Sequence, residues 1–448
     1  MCGIVGIYKR KENSSNIFDI AKKVLFSLQH RGQESAGICI LKEDNDLFVY
    51  KGLGLVNQVF SNISNVDGKI AIGHTRYSTS GSKANIRNAQ PITYYYKNSW
   101  LAIAHNGNIP NANEIRKILE EEGSIFSTNS DTEVFLHLYV KLKGSFKEIS
   151  KIIPYAYSII MLDNNRLLGF RDAYGYRPLF LGISEEFYIF ASENSAISQF
   201  DFIDEIIEIN PGEVYIIENN EIYKEKFSTS EKHRFCIFEL IYFSRPDSKL
   251  FNYQVYQFRK ECGKRLALLE DKEIDIVIPV PDSGLASAIG YSQTLNKPLE
   301  LGLIRNHYSG RSFIQPDNIS RKETIRNKLF PIREVIENKR IALIDDSIVR
   351  GNTSKEIIKL IRENNAKEIH FRIASPPIVN PCLYGIDMPT KEELIANRMD
   401  LEELRKFLNV DSLRYLPMEH LKDVVFENKD NFCYECFLNC QNSKKLKN

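Results

Sequence analysis

Cys2 has the clearest capacity for chemistry in this chain, because it directly follows Met1. If Met1 is removed, Cys2 carries both a thiol and a free α-amine. The amine, with a reference pKa of about 8, can then take a proton from the sulfur. We predict a nucleophile on this basis. The segment that follows, Gly3–Ile7, also fits a buried strand that begins with an apolar cysteine. Cys2 alone leaves both interpretations open.

A second chemical pattern lies at 341–354, where a buried-strand run ends in Asp345 and Asp346 before a Ser/Gly/Thr-rich loop and a helix. Free N–H groups at such a helix start favour phosphate. The predicted phosphate-binding residues are Ser347, Arg350, Gly351, Asn352, Thr353 and Ser354. Two carboxylates would repel phosphate, so we expect them to bind ribose hydroxyls or Mg²⁺. The pattern suggests a phosphoribosyl ligand, with a capped strand-to-helix turn as the alternative.

Two further segments could complete such a site. Ser283, in the loop 280–284 after a predicted strand, is a candidate Mg²⁺ ligand, with a helix N-cap as the alternative. The basic segment 305–333 predicts a loop that closes over pyrophosphate, or else a solvated excursion. Its candidate contacts are Arg311, Arg326 and Lys328.

The eight cysteines are too few for a disulfide scaffold in 448 residues, which favours thiols or metal ligands. Cys433, Cys436 and Cys440 are crowded near the C-terminus. A C-x-x-C pair with two remote thiolates suits zinc or an iron–sulfur cluster, and the spacing does not discriminate between them.

Charge and hydropathy restrict the class of protein. Lys and Arg total 59 against 58 Asp and Glu, for a formal net charge of +1, so nucleic-acid binding is not expected. We also expect no membrane span and no signal peptide, and therefore a cytoplasmic enzyme. Up to about residue 226, short strands and few helices predict an α+β domain. After about residue 245, strands and helices alternate as in a parallel sheet, with strands at 274–279, 299–304, 340–344 and 368–374.

Several segments together resemble the class II glutamine amidotransferases. They are Gln29–Gly37, Gly73–Thr79, His105–Asn108 and Ser130–Glu133, in addition to the cysteine near the N-terminus. Cys236–Glu239, Tyr242–Ser248, Tyr308–Pro316 and the 341–354 loop extend the resemblance to the glutamine phosphoribosylpyrophosphate (PRPP) amidotransferase family, over essentially the whole chain. The 341–354 loop by itself resembles the PRPP loop of type I phosphoribosyltransferases.

The resemblance implies an N-terminal-nucleophile αββα glutaminase domain at 2–230 and an α/β phosphoribosyltransferase domain with a parallel sheet at 231–388. A C-terminal helical tail at 389–448 would carry iron–sulfur ligands. The implied [4Fe–4S] ligands are Cys236, Cys382, Cys433 and Cys436, with Cys440 able to replace one of the last two. The cluster would fasten the tail to both domains.

The resemblance also implies roles around Cys2, which would attack the side-chain carbonyl of glutamine. Asn106 and Gly107 would hold the oxyanion, Arg76 the substrate carboxylate and Asp131 its ammonium group. His30 and His74 are expected to be structural. Ammonia would pass through an internal channel to PRPP held with Mg²⁺, giving 5-phosphoribosylamine, glutamate and pyrophosphate at the start of purine synthesis.

Three alternatives stay open at the level of sequence. They are a glucosamine-6-phosphate-forming relative, a non-catalytic PRPP- or nucleotide-binding redox regulator, and an ammonia-dependent phosphoribosyltransferase with an idle glutaminase half. The first would need sugar-isomerase domains, and intact Cys2, Arg76, Asn106 and Asp131 disfavour the second. Purine nucleotides are expected inhibitors, and a homodimer or homotetramer is the expected assembly.

Overall fold

A computed structural model describes the chain except for residues 13, 78–84, 229–231, 307–327, 387, 389 and 439–448. Its first half contains two antiparallel sheets, built from short strands with tight turns between them. The strands are β1 (Gly3–Lys9), β2 (Ser35–Leu41), β3 (Leu47–Leu53), β4 (Ile70–Arg76), β5 (Ile92–Tyr96), β6 (Ser99–Gly107), β7 (Tyr157–Asp163), β8 (Arg166–Arg171), β9 (Phe180–Ile183), β10 (Phe187–Ala191), β11 (Glu205–Glu208), β12 (Glu213–Glu218) and β13 (Glu221–Lys226). The first sheet has the order β11-β9-β10-β1-β4-β2-β3, and the second β13-β12-β8-β7-β6-β5.

The two sheets pack face to face, because the central strands are apolar on both sides. Ile4 and Ile72 of the first sheet share a buried core with Ala104 and Ile160 of the second. Helices cover the outer faces: α1 (Ile17–Ser27) and α2 (Val56–Val59) on the first sheet, and α3 (Ala112–Glu121), α4 (Asp131–Lys141) and α5 (Phe146–Ile152) on the second. This is the αββα sandwich that the resemblance implied.

The second half is built around a parallel sheet. The described strands of the second half, in chain order, are β14 (Phe235–Cys236), β15 (Lys249–Leu250), β16 (Tyr253–Gln254), β17 (Ile276–Pro279), β18 (Leu303–Arg305), β19 (Leu329–Pro331), β20 (Arg340–Asp345), β21 (Glu368–Ile373), β22 (Ser412–Tyr415) and β23 (Phe432–Cys433). The parallel sheet has the order β17-β20-β21-β22. The helices are α6 (Val255–Ala267), α7 (Leu285–Leu295), α8 (Arg333–Ile336), α9 (Asn352–Glu363), α10 (Ile395–Arg398), α11 (Leu401–Leu408) and α12 (Met418–Val424). The predicted fold class is confirmed in both halves.

Two details differ from the sequence-based expectation. The run 299–304 was expected to be a buried strand of the parallel sheet, but only a bridge between Leu299 and Val277 joins that sheet, and β18 pairs antiparallel with β19 instead. The stretch after residue 389 is not wholly helical, because β22 pairs in parallel with β21. Leu413 is the buried residue of β22, and one buried contact in a charged stretch is too little to reveal a strand by pattern.

A short pairing joins distant parts of the chain. β14 and β23 run parallel, with Cys236 opposite Cys433. Phe235, Phe251 and Phe432 pack their rings around this pair, with Phe235 and Phe251 stacked at 4.5 Å between centroids. The C-terminal segment is therefore fixed beside the start of the second half.

Candidate active site

The Cys2 backbone lies against the end of β6. The Cys2 N–H donates to Asn106 Oδ1 at 3.2 Å, and the Arg31 guanidinium donates through Nε to the Cys2 carbonyl at 3.0 Å. Asn106 is completely buried, and its Nδ2 has no hydrogen-bond partner among the described residues. A buried donor without a partner costs free energy, which a ligand oxygen would recover. Beside Cys2 there is thus an amide N–H available to a substrate.

Gly107, the next residue, can only be glycine. A Cβ atom there would lie 2.2 Å from the Ala156 carbonyl oxygen and 2.5 Å from His105 Nε2. Glycine at this position therefore lets the end of β6 pack directly against the Ala156 carbonyl and the His105 ring, where any side chain would overlap.

Arg76 and Asp131 are each partly engaged by the protein. Arg76 ends β4 and donates through Nη1 to Glu34 at 3.2 Å, with about a fifth of its side chain exposed (19%). Asp131 begins α4, where the helix N-terminus favours an acid, and its Oδ2 accepts from the Ile109 N–H at 2.9 Å. Its side chain is 27% exposed. Each side chain therefore keeps an exposed portion.

His74 is buried and His30 is partly buried, and the protein holds both side chains. Burial, together with the Arg76 guanidinium, lowers the pKa of His74 to about 3, so its imidazole is neutral and a poor proton acceptor. His30 bridges the Ser27 carbonyl and the Glu193 carboxylate, with Nε2 at 2.7 Å from Oε1. These contacts suit the structural role expected for both residues.

A second site lies at the carboxyl end of the parallel sheet, where Asp345 ends β20 and Asp346 follows it. Both carboxylates are buried, and burial, reinforced by the Asp346 charge, raises the pKa of Asp345 well above its usual value. Ser283 lies beside Asp345 and partly offsets the rise in its pKa, because the loop after the neighbouring strand β17 reaches the same edge. A Cβ on Gly284 would lie 2.3 Å from the Ile344 carbonyl oxygen, so glycine permits this approach. Two acids and a hydroxyl form an oxygen donor set of the kind that Mg²⁺ uses.

The loop after Asp346 leads directly into α9. Gly351 stands at the N-cap in a left-handed conformation (φ +75°), and no side chain caps the helix there. Asn352, Thr353 and Ser354 form the first turn, whose N–H groups make a cradle for an anion. Ser347 donates to Asp346. The structure therefore places these loop residues beside the acid pair.

The basic candidates are not all brought to this edge. Arg350 is 54% exposed and its Nε lies 3.4 Å from Glu393. Lys328 precedes β19, and its carbonyl accepts from the Asn306 N–H at 2.8 Å. Arg311 and Arg326 lie outside the described residues.

The four cysteines expected as cluster ligands line one cavity. Cys236 and Cys433 lie opposite each other in the pairing of β14 and β23. The Cys436 carbonyl accepts a hydrogen bond from the Val379 N–H at 2.8 Å, and Val379 lies three residues before Cys382. Burial raises the pKa of Cys236 to about 11 and that of Cys433 to about 12. Cys440 lies outside the described residues.

The lining of this cavity includes four sulfur donors. Within the described ranges, no three His, Cys, Asp or Glu side chains are close enough to share one metal ion. The four cysteine sulfurs are the donor type that a four-iron cluster uses.

Comparison with known proteins decides the family. A family model described as the glutamine amidotransferase domain matches residues 61–231. The chloroplastic amidophosphoribosyltransferase of Vigna aconitifolia is 44% identical over 444 residues, which cover 97% of this chain and 90% of that protein. The amidophosphoribosyltransferase of Bacillus subtilis is 42% identical over 446 residues, covering 97% of this chain and 92% of that one. The chain belongs to the amidophosphoribosyltransferase family.

A solved structure of a family member agrees over the whole length. Glutamine PRPP amidotransferase from B. subtilis, complexed with ADP and GMP, matches with a TM-score of 0.88 at 41% identity, covering 97% of this chain and 96% of that one. As an amidophosphoribosyltransferase, the protein catalyses the glutamine-dependent first step of purine synthesis, which confirms the predicted activity over the regulator alternative. Among the described helices, none has the length and apolar character needed to cross a membrane.

Sequence reasoning missed a buried ion network between the two halves of this amidophosphoribosyltransferase. Arg31 Nη2 lies 2.9 Å from Glu239, Arg31 Nη1 lies 2.6 Å from Glu193, and Arg177 Nη1 lies 3.4 Å from Glu239, all at fully buried side chains. Burial opposes ionisation of Glu193, but His30 and Arg31 hold its pKa well below the usual range. Arg31 and Glu239 lie in two segments that carry the family resemblance, but nothing in their spacing along the sequence indicates that they pair.

Glu239→Gln is expected to destabilise the protein strongly, because it leaves Arg31 and Arg177 buried with one negative partner fewer. Breaking a buried pair on one side costs about 3–5 kcal/mol. Urea denaturation should give a clearly lower midpoint. Glu148→Gln is the matched control, because it breaks an exposed pair with Lys151 (2.7 Å) whose removal costs about 0–1 kcal/mol. Equal urea midpoints for the two variants would contradict the large contribution to stability that we assign to the buried network.

Proposed function

We propose that the glutaminase half works through Cys2 with a free α-amine, which requires that Met1 be absent from the active protein. The Cys2 nitrogen already lies 3.2 Å from Asn106 Oδ1, so an amine at that position would be oriented by the same oxygen. The amine would take the thiol proton as the sulfur attacks the glutamine amide carbon, and would return it to the leaving ammonia. Glutamate is then released by hydrolysis of the thioester.

The observation that carries this proposal is the unpartnered, buried Nδ2 of Asn106 beside Cys2. A fixed donor of this kind can stabilise the oxyanion that develops on the amide oxygen, together with the Gly107 N–H. Arg76 is proposed to bind the α-carboxylate of glutamine and Asp131 its α-ammonium group. The exposed portions of both side chains support these roles.

In the acceptor half, we propose that Asp345, Asp346 and Ser283 hold Mg²⁺, which would neutralise charge on the leaving pyrophosphate. The 5-phosphate of PRPP would sit on the first turn of α9, with contacts from Ser347, Gly351, Asn352, Thr353 and Ser354. Arg311, Arg326 and Lys328 are proposed contacts of the pyrophosphate, and Arg350 is a proposed contact within the 347–354 loop. Ammonia from Cys2 would reach C1 of the ribose through an internal channel, and pyrophosphate leaves as the C–N bond forms.

We further propose a [4Fe–4S] cluster held by Cys236, Cys382, Cys433 and Cys436. The shared cavity and the all-sulfur donor set support it. When bound, the cluster would cross-link the C-terminal segment to the second half through Cys236 and Cys382, and would take no part in turnover.

The remaining proposals follow from the family. The divisions 2–230, 231–388 and 389–448 stay as the proposed domains. Purine nucleotides are proposed inhibitors, since the B. subtilis structure was solved with ADP and GMP. A dimer or tetramer and a cytoplasmic location complete the proposal.

The two-site mechanism is tested by following glutamate and pyrophosphate together under anaerobic conditions. Cys2→Ala should abolish both products with glutamine, while pyrophosphate release with ammonia persists. Asn106→Ala should lower kcat with glutamine by about 10²–10³-fold, because one oxyanion donor is lost. Cys39→Ala, which changes a buried thiol in β2, is the control and should keep both activities.

Release of no pyrophosphate from either nitrogen source would contradict the transferase assignment. Release with ammonia alone in the unaltered protein would instead indicate an idle glutaminase half. Intact-mass measurement shows whether the active chain begins at Cys2, as proposed.

The cluster is tested by iron and acid-labile sulfide content of anaerobically purified protein. Cys236→Ser should lose both, because a hydroxyl does not replace a thiolate ligand and Cys440 is proposed to replace only Cys433 or Cys436. Cys262→Ser, at a buried cysteine of α6 away from the cavity, should retain them. Zinc in place of iron would contradict the cluster. Anaerobic iron removal should also lower Tm, and an unchanged Tm would rule out the cross-linking role.

A further inference from the structure

The loop Leu383–Gly385, from the second half of the chain, lies directly on the oxyanion residue of the first half. Gly385 has φ +95°, and a Cβ there would lie 2.7 Å from the Gly107 carbonyl carbon and 2.8 Å from its Cα. Next to this contact, Asn108 Nδ2 donates to the Leu383 carbonyl at 3.2 Å. Backbone therefore meets backbone here, with no side chain between them to absorb a shift.

The same loop is fixed from its other side by Arg177. The Arg177 guanidinium donates to the Tyr384 carbonyl through Nε at 2.8 Å and also through Nη2. The Tyr384 ring stacks on Tyr176 with centroids 4.3 Å apart and planes 11° from parallel. Arg177 is fully buried and held by Glu239, so the loop cannot move without breaking a buried charged contact.

From these contacts, we propose that Leu383–Gly385 is a positioning element for the glutaminase reaction. It supports the Gly107 backbone from behind, so that the Asn106 and Gly107 donors are fixed where the oxyanion forms. Preorganised donors are effective because they need no rearrangement during the reaction, and a displacement of about 1 Å can cost about 10²-fold in rate. The inference rests on the proposed oxyanion role of Asn106 and Gly107.

The loop lies outside the matched amidotransferase region at 61–231, and it directly follows Cys382. The second half of the chain thus supplies part of the framework on which the first half does its chemistry. Gly385, Arg177 and Asn108 act through Gly107 and do not themselves touch the substrate.

Gly385→Ala is the direct test, with Gly123→Ala as a matched control. Gly123 has the same φ of +95°, but a Cβ there meets nothing within 4 Å. Both variants place alanine at the same positive φ, and only Gly385→Ala pushes on Gly107. Gly385→Ala should lower kcat for glutamine hydrolysis by about 10²-fold. The KM for glutamine and the ammonia-dependent release of pyrophosphate should match those of Gly123→Ala.

Asn108→Ala provides a second variant that introduces no overlap. It removes one neutral hydrogen bond to the loop, worth about 1 kcal/mol, so kcat with glutamine should fall about five-fold at unchanged KM. If Gly385→Ala also loses its ammonia-dependent activity, the fold is damaged and Asn108→Ala decides the matter. Normal kcat in Asn108→Ala would then overturn the inference.

Asn106→Ala, measured in parallel, separates the inference from the proposed function. If Asn106→Ala is slow and Gly385→Ala behaves like Gly123→Ala, the positioning role is wrong and the oxyanion site stands. If Asn106→Ala hydrolyses glutamine normally, the oxyanion assignment fails, and the positioning role fails with it.

Discussion

Glu239 between Arg31 and Arg177 is the interaction on which the arrangement of the two halves depends. All three side chains are fully buried, and desolvated charges are tolerated only where every partner is in place. Arg31 and Arg177 belong to the sandwich. Glu239 begins the π-helical turn Glu239–Phe243, near the start of the second half. The Ser244 hydroxyl donates a further hydrogen bond to Glu239 Oε2 at 3.0 Å. The geometry therefore admits one placement of the turn against the sandwich.

Each end of this network holds backbone that matters for chemistry. Arg31 binds the Cys2 carbonyl, and Arg177 binds the Tyr384 carbonyl, with its Nη2 4.0 Å from Cys382 Sγ. The same charges that join the halves thus orient Cys2, the proposed nucleophile, and the loop beside the cysteine cavity. Guanidinium groups suit this task because their planar fork can bind an acid and a carbonyl at once.

Much of the architecture follows from local pattern, whereas the connections between the halves do not. Segments such as 157–162 and 340–344 predict buried strands, because each is a short, continuous apolar run. The pairing of Cys2 with Asn106 came from resemblance alone, since nothing local links positions 104 apart. The Arg31–Glu239 contact spans 208 positions and depends on the final packing of both halves. No single segment contains that information.

The position of Gly385 so late in the chain has a consequence for the order of synthesis. A ribosome that has made the first 230 residues has produced Cys2, Arg76, Asn106 and Asp131, but not the backbone that supports Gly107. On the proposed positioning role, the nascent glutaminase stays poorly active until the acceptor half has emerged and docked. Glutamine is then spared from hydrolysis by unfinished chains, which have nowhere to send the ammonia.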